Sequence, residues 1–456
     1  MPLDLQERDV IRRRIPQIYA AFAATLGGAA FGMVMGWSAP ALEMLKAEAT
    51  YTDEELSWVA GIPPLGSLVS MMLMALTLDR FGRKVVMLAL VPPFVLGWLL
   101  LAFFRSIPLL LAGRFITGFC GAGYCTAAPV YTGEIAEKQI RGALGVFYQL
   151  MLTLGVLYVY VVGCWSDLKW LSLCCGIIPI VFFLLFCGAP ESPVYLLENN
   201  HREDAIQALQ WLRGPTGDIR SDLQDIEEMV EESHGNVGTL REMMSTKAAL
   251  KGLWTQMGIL FFQPLSGQNI IIFYAVSIFV AAGSSLDPNV ASIIVASVQV
   301  VATACSATLV DRAGRRILLI FSYSAMGVCL IAVGTFFFML EQNEKMVRDV
   351  RWLPVFVISI YLVVFSMGCG PLSWSMIGEI FPQEVKAICS AICAATNTVM
   401  TFLVSKTYLD LEETLTTAGA FWLYAILNFV AAIWIFFFVI ETKGKTLDEI
   451  QKQLVS

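Results

Sequence analysis

The 456-residue chain has little charge. Only 15% of its residues are Asp, Glu, Lys or Arg, whereas a soluble domain carries about a quarter. Histidine is almost missing: the two present, His201 and His234, share one polar stretch outside every apolar segment. No cysteine–histidine spacing fits a metal site, and all eleven cysteines fall in or beside apolar segments, where structural thiols sit. No nucleophile, base and acid are placed together, and there is no phosphate-binding loop. The sequence therefore implies no enzyme, no cofactor and no metal. The net charge of −7 gives no hint of nucleic acid as a partner. No N-x-S/T sequon occurs, so no N-glycan is expected. Arg12, Arg13 and Arg14 precede a first apolar stretch too long for a cleavable signal peptide.

Apolar sequence is what the chain does have: 57% hydrophobic residues and a mean hydropathy of +0.69. About 20 apolar residues cross a bilayer as a helix. Twelve such spans are expected, at roughly 17–38, 56–78, 84–104, 107–130, 142–163, 168–188, 253–282, 289–310, 316–340, 352–377, 386–408 and 417–440. The expected fold is an all-α membrane protein with the lipid bilayer as its solvent. Its divisions are a first six-helix bundle (1–189), a helical loop (190–251), a second bundle (252–440) and a tail (441–456).

Lys and Arg are biased to one side. That side collects Arg12 to Arg14, Arg80, Arg83, Lys84, Arg141, Arg315, Arg316, Lys386 and the whole central loop. The positive-inside rule puts both termini and that loop in the cytoplasm, with the plasma membrane as the expected location. Within the loop, Asn200…Glu203, Ser221…Gln224 and Thr239…Glu242 have capping-box spacing. Leu223, Ile226 and Val230 form an apolar stripe, so short amphipathic helices are expected. Thr446 and Glu449 repeat the capping signal in the tail.

The two halves repeat. DRFGRK (Asp79–Lys84) follows span 2 and DRAGRR (Asp311–Arg316) follows span 8. GEIAEKQIRG from Gly133 matches GEIFPQEVKA from Gly378, and PESP from Pro190 matches ETKGKT from Glu441. Parallel duplication of this kind builds two bundles that rock about a central site. Four acid–base pairs recur: Asp79 with Arg83, Glu134 with Arg141, Asp311 with Arg315, and Glu379 with Lys386. They are expected to form a cytoplasmic gate, pairing across the halves as partly exposed contacts of about 1 kcal/mol or less each.

The seventh span carries polar side chains at its middle, in FFQPLSGQN (Phe261–Asn269) running on to Phe273 and Tyr274. Pro264 and Gly267 interrupt the helix, and broken backbone at membrane depth is tolerated only against protein or a water-filled cavity. Steps of three put Gln263, Ser266 and Asn269 roughly on one face, near Gln268 and Tyr274. Such amides suit a hydroxyl-rich ligand, and they equally suit interhelical glue.

The motifs DRFGRK, GRF at Arg114, RGALGVFYQL from Arg141, PESPVYLL, QPLSGQN, DRAGRR, GCGPLSWSMIGEIFP from Gly368 and ETKGKT resemble, as a set, the sugar porter branch of the major facilitator superfamily. Within it the chain looks most like insect facilitated trehalose transporters. The resemblance covers essentially the full length and implies twelve helices in two pseudo-repeats with alternating access. It also implies sugar-binding roles for Gln149, Gln263, Asn269, Trp374 and Asn397. Three departures separate this pocket from a glucose site: Pro264 replaces an amide, Gln299 replaces an asparagine, and Ser366 stands where an acid is common. Proton-coupled relatives place an acid in span 1, where this chain has Val34. The expected activity is passive uniport of a sugar, trehalose first, by a monomer. A hexose facilitator, a proton symporter and a non-transporting sensor remain as alternatives.

Overall fold

The computed structural model describes residues 5–137, 140–214, 219–235, 247–310, 314–381, 383–443, 445 and 447–455. Caps and breakers cut the apolar chain into its elements, and among the described residues these are helices and loops without strands. The first part comprises α1 (Leu5–Gly36), α2 (Ser38–Ala47), α3 (Asp53–Phe81), α4 (Arg83–Ala89), α5 (Val91–Phe103), α6 (Ile107–Ile135), α7 (Arg141–Trp165) and α8 (Leu168–Phe186). Thr52 starts α3 with a capping box: its hydroxyl accepts from the Glu55 amide while the Glu55 carboxylate accepts from the Thr52 amide. Asp167 accepts from the Trp170 amide at 3.0 Å and starts α8 in the same way.

The central stretch forms α9 (Pro193–Glu198), α10 (Arg202–Arg213) and α11 (Arg220–Gly235). Leu223 of the expected stripe is buried. The capping box expected at Asn200 does not form. Asn200 turns with φ +63°, and α10 starts after His201 without a side-chain cap. The box at Thr239 and residue Thr446 fall outside the described residues. The stretch is pinned by Arg213, which donates to the Ile135 carbonyl at 2.9 Å and pairs with Asp222 and Glu137. Glu137 also takes Arg14 and Gln17 of α1.

The second part comprises α12 (Lys247–Leu265), α13 (Gln268–Phe273), α14 (Ala275–Ala281), α15 (Pro288–Val310), α16 (Arg315–Gln342), α17 (Leu353–Met367), α18 (Cys369–Ile380), α19 (Gln383–Phe438) and α20 (Leu447–Val455). Ten helices are long and apolar enough to cross a membrane, and the bent run α12–α14 makes an eleventh crossing. The stretch Ile388–Phe438 within α19 has 51 residues, about 77 Å at ~1.5 Å per residue. A single crossing needs about 30 Å. Thr416, with φ +64° and ψ 165°, breaks this stretch. It thus accommodates two passes and the twelve crossings expected.

Small residues let the helices touch. A Cβ at Gly32 of α1 would lie 2.0 Å from the Leu152 carbonyl of α7, and one at Gly155 would lie 2.1 Å from that of Ala29. Close backbone approach of this kind drives helix association in lipid, where apolar burial gives no preference. The two parts meet along α7 against α15 and α3 against α19. The tail helix α20 buries Ile450 and Leu454 beside Gly252 of α12.

Candidate substrate site

The seventh span is broken twice. Pro264 cannot donate into the ladder, and Gly267 takes φ +94°, a conformation that favours glycine. The Ser266 carbonyl freed there accepts from Tyr361 of α17 and from Asn428 of α19, both at 2.9 Å. A second break at Tyr274 turns the run by 73°.

The breaks bring several expected residues together. Asn397 of α19 donates to Gln263 Oε1 and to the Leu260 carbonyl, both at 2.9 Å. Gln263 Nε2 reaches the Gly370 carbonyl of α18 at 3.5 Å. Asn269 Nδ2 donates to Thr401 Oγ1 at 3.2 Å. Gln268 is half-buried beside Asn269. Trp374, on α18 after Gly370, is 40% exposed, so its ring face is open. Gln149 on α7 is half-buried, and Gln299 is buried on α15, the helix packed against α7.

Two expectations need correction. Ser266 does not share a face with Gln263 and Asn269. Its hydroxyl bonds back to the Gln263 carbonyl at 2.7 Å, because the turn at Gly267 ends the regular helical count. Tyr274 is not presented to a cavity either: it is 1% exposed, and its hydroxyl donates to the Ser405 carbonyl at 3.0 Å. Thr401 was missed, although it lies four residues after Asn397 and so one turn along the same helix face.

The repeated charges form two matching nodes. Arg83 Nη2 lies 2.9 Å from Glu134 and Nη1 lies 3.6 Å from Asp79, while the Ser192 hydroxyl donates to Glu134. Glu191 accepts from the amides of Arg83 and Lys84, completing the start of α4. In the second part Arg315 Nε lies 3.2 Å from Glu379, to which Thr442 donates, and Glu441 accepts from the amides of Arg315 and Arg316. Asp311 and the side chains of Arg141 and Lys386 lie outside the described residues.

These nodes overturn the expected pairing across the halves. Both ion pairs lie within one part, since the loop after α3 meets the end of α6, and the loop before α16 meets the end of α18. Nor are they all exposed: the Arg83 side chain is 7% exposed and that of Glu134 is 16%. Breaking a pair buried to that degree costs about 3–5 kcal/mol, more than a surface contact.

Arg114 is a further functional residue, which the sequence offered only as part of a motif. It is fully buried in α6 and met by neutral acceptors: the carbonyls of Val34 at 2.8 Å and Val59 at 3.1 Å, and Ser38 Oγ at 2.7 Å. Its guanidinium carbon stands 4.8 Å from the Trp37 ring centroid.

Two duplicated helical bundles with amides gathered at a broken span describe a membrane transporter of the alternating-access type. The sequence profile described as "Sugar (and other) transporter" matches residues 20–454. The chain is 36% identical to a facilitated trehalose transporter of Polypedilum vanderplanki over 96% of its own length and 88% of that protein. It is 35% identical to one from Bombyx mori over 96% and 87%. Among solved structures, the inward-open xylose transporter of E. coli superposes with a TM-score of 0.81 at 23% identity, covering 95% of this chain and 98% of that one. The chain belongs to the sugar transporter family of the major facilitator superfamily and is a multi-pass membrane protein.

Proposed function

We propose that the protein carries trehalose passively across the plasma membrane, as a monomer with both termini in the cytoplasm. The sugar sits among Gln149, Gln263, Gln268, Asn269, Gln299, Trp374 and Asn397. Residues 1–189 and 252–440 rock as two bundles, and residues 190–251 and 441–456 brace them on the cytoplasmic side. The observation that carries this reading is the amide group Gln263, Asn397 and Asn269, drawn to one seam by the broken span. Amides both donate to and accept from sugar hydroxyls, and the relatives at 35–36% identity carry the name of facilitated trehalose transporters.

Passive transport rests on Val34 and Arg114. An intramembrane carboxylate is the usual proton relay. Here the buried cation meets Val34 only through its carbonyl, and its other acceptors are neutral. One solved relative, 24% identical, is described as a proton:xylose symporter, so the two driving forces must be separated directly. In proteoliposomes, labelled trehalose should equilibrate but not accumulate, with or without a pH gradient, and glucose should compete weakly. Uphill uptake driven by an inward proton gradient would sink the uniport reading. Glucose uptake without trehalose uptake would make the protein a hexose facilitator, and uptake of neither sugar would favour a sensor.

A further inference from the structure

The two breaks in the seventh span free two carbonyls that are held by different partners. That of Ser266 is held by Tyr361 and Asn428, from the same half of the chain. The break at Tyr274 interrupts the ladder in which the Ile272 carbonyl would take the amide four residues on. Tyr160 of α7, in the other half, donates to it instead at 2.6 Å. Tyr160 is 5% exposed, so its hydroxyl has little access to water in this state. One turn further along, the Ser277 hydroxyl of α14 donates to Glu43 of α2. A cavity of about 280 Å³ lies beside these contacts, bordered by Glu43, Gly163, Val276 and Asn289. On the other seam, Lys406 Nζ of α19 stands 5.3 Å from the Trp58 ring centroid of α3. All these contacts lie toward the face away from the termini.

We propose that Tyr160 is a positioning residue for transport: its bond to the Ile272 carbonyl holds α14 against the first half and keeps the face away from the termini sealed. The inference rests on the alternating-access reading above. When that face opens, α14 must leave α7, and both the hydroxyl and the carbonyl must then find water. Removing the hydroxyl takes away a bond made only in the sealed state, so it shifts population toward the state open on that face. Glu43 with Ser277 adds a second, separate bond of the same kind.

The test is the rate at which a membrane-impermeant maleimide labels Val276→Cys in intact cells, over the background of the Val276 parent. Val276 is 4% exposed in the sealed seam. Adding Tyr160→Phe should raise its labelling about three- to tenfold, as expected for loss of one hydrogen bond. Adding Ser277→Ala should raise it in the same direction. Trp165→Cys, at a position 79% exposed near the same end of α7, serves as a control and should label at an unchanged rate. Unchanged labelling at position 276, or an equal rise at position 165 from general loosening, would overturn the proposal. The readout needs no sugar. If the wild type moves neither sugar, the functional reading fails while the labelling still decides the role of Tyr160.

Discussion

Asn269→Ala should lower sugar uptake at limiting substrate by about thirtyfold while leaving surface expression unchanged. The figure corresponds to roughly 2 kcal/mol, the loss expected when a polar group that binds substrate is deleted and its partners are left unpaired. In the empty protein Asn269 bonds Thr401 at 3.2 Å, so a glue role must be separated from a ligand role. Thr401→Val breaks the same bond but keeps the amide. If Asn269 meets the sugar, Thr401→Val should cost less than about threefold. If the pair is only glue, the two variants should lose uptake and detergent melting temperature equally. Gln263→Ala should behave like Asn269→Ala, because Asn397 keeps the Leu260 carbonyl at 2.9 Å and remains anchored.

A larger effect, on folding rather than transport, is expected at Arg114. Replacing it with Leu strands two buried carbonyls and the Ser38 hydroxyl, which together join α1, α2 and α3 to α6. At about 1–3 kcal/mol for each orphaned group, the sum is comparable to the whole stability of many proteins. Arg114→Leu should fail to reach the membrane and should elute as aggregate from detergent. Arg114→Lys keeps the charge but loses the planar fork that reaches three acceptors at once. It should restore folding only in part. Full expression and a native melting temperature for the Leu variant would show that the three acceptors find other partners.

The helical body was legible in the sequence because lipid demands long apolar runs, and the duplicated motifs fixed the order of the two halves. The broken seventh span was legible as well, since Pro264 and Gly267 have few other uses at membrane depth. Directions within that span were not. Counting by threes assumes one regular helix, and the φ of +94° at Gly267 rotates the remainder of the span, which turned Ser266 inward and sent Tyr274 toward Ser405. The charge pairs were found by their repetition, but repetition does not say which acid meets which base. Arg83 meets Glu134, fifty-one residues on, and both belong to one half. Arg114 drew attention only as part of a motif, because nothing in a sequence distinguishes a cation served by neutral carbonyls from one waiting for an acid. Tyr160 was invisible for a similar reason: its partner is a backbone atom, and a carbonyl has no residue signature.

The two charge nodes have an electrical consequence. Arg83 with Glu134, and Arg315 with Glu379, each neutralise one another inside a single half. A rocking cycle can therefore carry each pair along whole, with no separation of opposite charges through the hydrocarbon. Displacing one elementary charge through the full field changes the energy by about 2.3 kcal/mol per 100 mV. A carrier whose charges travel as closed dipoles, with an uncharged sugar as cargo, presents the field with almost nothing to pull on. Its turnover is then governed by the sugar gradient and is indifferent to the resting potential of the cell that holds it.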